Sequence, residues 1–115
     1  MTLSTRANTM ELRLSGAGNR TETVEGKKVG EFFVHHPVSG TDALRKMWRV
    51  SHYRSGMSLG TDFSKLLDAV GFANDMNANY QGDCEPQQLI DQFYARGTKP
   101  SVCDLGEKWH MSYSL

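Results

Sequence analysis

The side chains best suited to chemistry are four histidines and two cysteines, and their spacing argues against a shared metal ion. His35 and His36 are adjacent in a segment that favours a strand, so their rings point to opposite faces. His36 and His52 could share a face, but no third ligand stands at metal spacing and no HExxH or CxxC motif occurs. We therefore expect no metal ion and no cofactor.

Nucleophilic catalysis also lacks its usual signature. A catalytic serine or cysteine needs a base within hydrogen-bonding reach, and the chain contains no GxSxG motif. Ser51 and His52 are neighbours on a predicted strand, where their side chains diverge. Cys84 precedes a predicted helix, whose N-terminus can lower the pKa of a thiol, but its two acidic neighbours oppose thiolate formation. A small enzyme or metal-binding domain that uses His36, His52 or Cys84 is thus the third-ranked hypothesis, and we expect a protein that is not an enzyme.

Composition indicates one globular domain with an uneven charge distribution. The chain has 115 residues, of which 38% are hydrophobic and 23% charged, as in ordinary folded domains. Its formal net charge is zero, yet residues 1–60 hold nine Lys/Arg against five Asp/Glu, and residues 61–115 hold four against eight. A basic footprint for nucleic acid is therefore available only locally.

The sequence also bears on the compartment. Residues 1–9 lack the apolar stretch of a secretory signal, and no apolar run reaches the roughly 18 residues of a membrane-spanning helix. Two cysteines, Cys84 and Cys103, fit a reducing environment. We expect a cytoplasmic protein that does not engage a membrane.

Three segments in the first half of the chain predict strands because apolar and polar residues alternate or strand formers dominate. They are residues 10–14, 29–36 and 46–53, with a loop at 15–23 and a connection at 37–45. Pairing Val34 with Val50 makes the second and third strands an antiparallel hairpin. This register places Phe32 opposite His52 and His36 opposite Trp48.

The second half predicts two helices and a final strand. Apolar residues at 63, 66, 67, 70 and 73 follow the helical period, and Thr61 or Asp62 can cap the N-terminus. Gly71 inside this helix costs about 1 kcal/mol relative to alanine, which suggests a closely packed neighbour. Pro86 begins the second helix, and Trp109–Leu115 alternates as a strand does.

These elements predict a single α+β domain over residues 9–115, preceded by a flexible N-terminus at residues 1–8. The domain is a small antiparallel sheet of about four strands, in the sequence order β-β-β-α-α-β. Two helices pack on one face of the sheet.

Two helices cover only one face, so the opposite face is predicted to be exposed and to bind a partner. Its residues are Phe33, Met47, Arg49 and Tyr53, of types enriched in the cores of protein interfaces. A longer first strand or a loop folded over this face is the structural alternative. We therefore expect a non-enzymatic accessory or inhibitor-type protein that binds a macromolecule, either another protein or a second copy of itself.

A second-ranked hypothesis is nucleic-acid binding by the segment 45–54. This segment interleaves Trp48 and Tyr53, which could stack on bases, with four basic residues: Arg45, Lys46, Arg49 and Arg54. The sequence contains no RNP motif, helix-turn-helix or KH loop to support it.

Overall fold

The computed structural model describes residues 8–13, 21–38 and 40–112. Within them it has the α+β class that the sequence predicts. The strands are β1 (Asn8–Arg13), β2 (Thr21–Val29), β3 (Phe32–His35), β4 (Trp48–His52) and β5 (Ser58–Phe63). The helices are α1 (Asp42–Arg45), α2 (Leu66–Asn79), α3 (Pro86–Tyr94) and α4 (Val102–Lys108).

The sheet is an antiparallel meander in which each strand pairs with the next along the chain. The predicted hairpin is confirmed, because Val34 pairs with Val50 and Phe32 with His52. The sheet has five strands where about four were predicted. The element order is β-β-β-α-β-β-α-α-α rather than β-β-β-α-α-β.

One additional strand is β2, part of which was predicted to be a loop. The buried apolar residues of β2 are Val24 and Val29, five positions apart, while most of the side chains between them are exposed. Alternation is therefore absent, although β2 pairs with strands on both sides. The remainder of the predicted loop, residues 15–20, and the predicted flexible residues 1–7 lie outside the described residues.

The other additional strand is β5, which occupies the predicted start of the first helix. Phe63 pairs with Trp48 across β4 and β5, and its ring lies 5.1 Å from that of Phe72 in α2. Phe63 therefore fits the helical spacing of the core residues in α2, although it lies in a strand. The helix itself begins at Leu66.

The predicted final strand is wrong over the residues that the structure describes. Ser101 caps α4 with a capping box, and the helix ends at Lys108 with Trp109 as its C-cap. His110 follows with a φ of 64°, and among residues 109–112 a single bridge, from Ser112 to Asp62, joins the sheet. Residues 113–115 lie outside the described part of the chain.

The main core lies between the sheet and α2, which contacts β2 to β5 and also α4. Buried side chains from α2, α3, α4 and the sheet form it. Gly71 has the close neighbour that its position suggests, since a Cβ there would lie 2.6 Å from Cη2 of Trp109. No helix in the described ranges is both long and apolar enough to cross a bilayer.

Candidate binding surface

Strand alternation divides the sheet into a face that meets α2 and a face that points away from it, which we call the reverse face. On β3 and β4, Phe32, Val34 and Val50 belong to the main core. Phe33, His35, Arg49 and Ser51 occupy the alternate positions and therefore point to the reverse face.

Two of the predicted partner-binding residues are buried, so the expectation that the reverse face is exposed is wrong for them. Phe33 is 0% exposed and Met47 is 8% exposed. Phe33 belongs to a second small cluster. We call the three side chains that surround it, Val24, Val38 and Tyr53, the cover. The cover exists because β2 has nine residues and β3 only four, so Val24 lies beyond the part of β2 that pairs with β3 and packs on Phe33.

Tyr53 and Arg49, the other two predicted residues, remain partly exposed. The ring of Tyr53 lies 5.7 Å from that of Phe33, and the Lys28 ammonium lies 4.9 Å from its centroid. Arg49 forms a bidentate ion pair with Asp62 across the strands, with Nε–Oδ1 at 2.8 Å and Nη2–Oδ2 at 3.0 Å. The pair is half-buried and neutral overall, so Arg49 adds no net charge to this surface. Lys28 forms no ion pair with the described residues and therefore supplies the positive charge here.

Beneath this surface lies a buried pair that sequence reasoning missed. The Nδ1 atom of His35 lies 2.8 Å from the carbonyl oxygen of His36, which can only accept, so Nδ1 donates. The Nε2 atom then accepts from the Ser51 hydroxyl at 2.8 Å. Burial is the main cause that lowers the pKa of His35 from 6.5. The Val34–Val50 register contains the signal for this pair, since it puts His35 and Ser51 diagonally across two neighbouring strands.

The pair resembles the serine and base of a nucleophilic site, but it is placed for a structural role. Both residues are fully buried, whereas a nucleophile must reach its substrate. The hydrogen bonds instead satisfy polar side chains that the cover removes from water.

Of the residues in the third-ranked enzyme hypothesis, His36 lies apart from His52, whereas His52 and the backbone amide of Cys84 both bond to the carbonyl of Gly82. His36 follows β3 and His52 ends the antiparallel β4, so they lie at opposite ends of the hairpin. His52 donates from Nε2 to the carbonyl of Gly82 at 2.7 Å and its Nδ1 meets the Ser55 hydroxyl at 2.8 Å. Burial raises the pKa of the Cys84 thiol, which disfavours the nucleophilic thiolate. No cluster of three or more metal-ligating side chains occurs among residues 8–13, 21–38 and 40–112.

The predicted nucleic-acid contacts do not form a continuous basic strip. Arg45 and Lys46 lie before β4 and Arg54 after it, and five strand residues separate them by about 16 Å. Arg54 pairs with two acidic side chains, Asp83 at 3.2 Å and Glu85 at 2.9 Å. Only Arg45 and Lys46 among the four are exposed and without an acidic partner in the described part of the chain.

Comparison with family models, with curated proteins and with solved structures finds no match to this chain.

Proposed function

We propose that this chain is a non-enzymatic accessory or inhibitor-type protein that binds another protein through the reverse face, with Tyr53 as the central contact. The proposal is based on the packing of the Tyr53 ring against Phe33. Tyr53 is partly exposed and packs on Phe33, which is fully buried, so the ring is held in place before a partner arrives. A pre-ordered side chain loses little conformational entropy on binding, and tyrosine is a frequent hot-spot residue.

The neighbouring groups add polar contacts to this aromatic centre. The ammonium group of Lys28 lies over the ring of Tyr53. Arg49, in β4, also points to the reverse face. Arg49 is oriented by Asp62, so its remaining exposed surface has a defined position. Phe33, named from the sequence as a direct contact, acts in this proposal as buried support, and Met47 is buried and has no role in it.

The hydrogen bonds of two buried histidines also support a binding role. Both ring nitrogens of His35 and of His52 form hydrogen bonds within the domain. Cys84 and Cys103 are free thiols, which agrees with the proposed cytoplasmic location.

The test compares Tyr53→Ala with Tyr94→Ala in capture of partners from native lysate, with and without nuclease. Tyr94 is an exposed tyrosine on α3 and serves as the matched control. We expect Tyr53→Ala to weaken binding about 30-fold, the equivalent of about 2 kcal/mol, with little dependence on salt. A folded Tyr53→Phe variant, which keeps the ring, should bind nearly as well as the native chain.

Three results would contradict or redirect the proposal. Equal binding by Tyr53→Ala and the native chain would remove Tyr53 from the interface. A partner lost on nuclease treatment, with affinity that falls steeply as salt rises, would favour nucleic acid and Arg45 and Lys46 instead. Self-association abolished by Tyr53→Ala would identify a second copy of the chain as the partner.

A further inference from the structure

We propose that His35 is a pH switch for the cover of the reverse face. When His35 takes up a proton in mildly acidic solution, the cover opens locally and Phe33 becomes accessible. This inference concerns the chain's own conformational equilibrium and holds whichever partner the reverse face binds.

The neutral ring of His35 is part of the buried layer that the cover encloses. It is fully buried and stacks on Phe33, with ring centroids 6.0 Å apart and an interplanar angle of 29°. Nδ1 donates to the backbone carbonyl of His36, and Nε2 accepts from Ser51, which is also fully buried. Both nitrogens are therefore satisfied in the neutral form.

A proton on Nε2 disturbs this arrangement in two ways. The Ser51 hydroxyl must accept from Nε2 where it now donates, so its own buried proton loses this acceptor. The new charge is also held away from water on the same face as Arg49, which repels it. The His36 side chain adds a further unfavourable interaction. The bond from Nδ1 to the His36 carbonyl and the Asp62 carboxylate favour the charge, but burial outweighs the first and Asp62 already binds Arg49 bidentately.

Opening of the cover brings the charged ring of His35 into water and so removes the cost of burying it. We expect this opening to be local. Once exposed to water, the ring regains an ordinary pKa near 6.5, so acid favours the open form. The cover consists of few side chains around Phe33 and is a separate cluster from the main core that α2 organises. A small cluster of this kind opens at lower free energy than the whole domain.

The experiment is amide hydrogen exchange of the native chain between pH 7 and pH 5, with rates corrected for intrinsic chemistry. We expect the exchange of β2 amides around Val24 to rise by up to about tenfold per pH unit below 6.5. Amides in the middle of α2 should not change. In His35→Asn, which cannot take up the proton, the β2 amides should exchange independently of pH. The control His110→Asn removes an exposed histidine that follows α4 and should behave like the native chain.

Three outcomes would overturn the proposal. They are a flat pH profile for β2, a parallel rise in α2, and an unchanged pH dependence in His35→Asn. If His35→Asn fails to fold, the native profile decides alone, with α2 as the internal reference.

Discussion

Replacing Phe33 by alanine distinguishes a covered reverse face from an open one. Phe33 is fully buried between Val24, Val38 and Tyr53. Its truncation removes the transfer free energy of an aromatic ring and leaves a cavity, and together these cost about 3–5 kcal/mol in protein cores. Small domains have a total stability of roughly 5–15 kcal/mol, so the loss would be a large fraction of it. On an exposed strip the same change would cost less than about 1 kcal/mol.

Urea denaturation followed by far-UV circular dichroism measures this difference through the midpoint and the slope. Tyr94→Ala is the control, because Tyr94 is 87% exposed and its loss should change the free energy of unfolding by no more than about 0.5 kcal/mol. Phe33→Leu keeps most of the volume and should fall between the two variants. A loss below about 1 kcal/mol for Phe33→Ala, with an unchanged slope, would refute the cover and restore the open face.

Two further predictions concern the attachment of α4 to α2. In Gly71→Ala the new Cβ would lie 2.6 Å from the ring of Trp109. Overpacking costs about 1–3 kcal/mol and exceeds the helix gain of about 1 kcal/mol, so urea denaturation should show a net loss that a Trp109→Ala background abolishes. A gain in the native background would contradict this contact. Asp75 accepts from Lys108 at 2.9 Å and from the indole of Trp109 at 2.8 Å, and the bond to Lys108 is the main cause that lowers its pKa from 3.8. The lowered pKa stabilises the fold above pH 3.8, and this contribution is lost as pH falls through the folded value. Urea denaturation should therefore show that Asp75→Asn costs roughly 1 kcal/mol at pH 7 and progressively less as pH falls below 3.8, and a cost that does not change with pH would contradict this role.

The parts of the fold that could be predicted are those where one local signal has one structural solution. Apolar residues at matching positions in two strands fixed the pairing of Val34 with Val50, and the neighbouring pairs follow from it. Gly71 in a strongly periodic helix implied a close neighbour, which is Trp109. Both inferences use the period of the backbone and need no knowledge of distant elements.

The parts that could not be predicted depend on contacts between distant segments. The residues before Val29 give no strand signal, because the polar side chains at 22–28 are mostly exposed. The pairing of β2 with β1 and β3 determines its conformation. Residues 102–108 carry too few apolar positions to show a period, although Ser101 and Asp104 form the capping box that starts α4. The alternation of Trp109 and Met111 reflects packing on Gly71 and Gly106 and not strand geometry.

The binding surface was the hardest feature to predict, because alternation assigns side chains to two faces and does not say which face is covered. Phe33 and Tyr53 were assigned together, yet the first is fully buried and the second is partly exposed. The difference comes from Val24, whose position over Phe33 follows from the length of β2. While the cover is closed, the reverse face exposes little apolar area to a partner. Recognition through Tyr53 should therefore depend on a few ordered side chains, and opening of the cover would enlarge the apolar surface that a partner can bury.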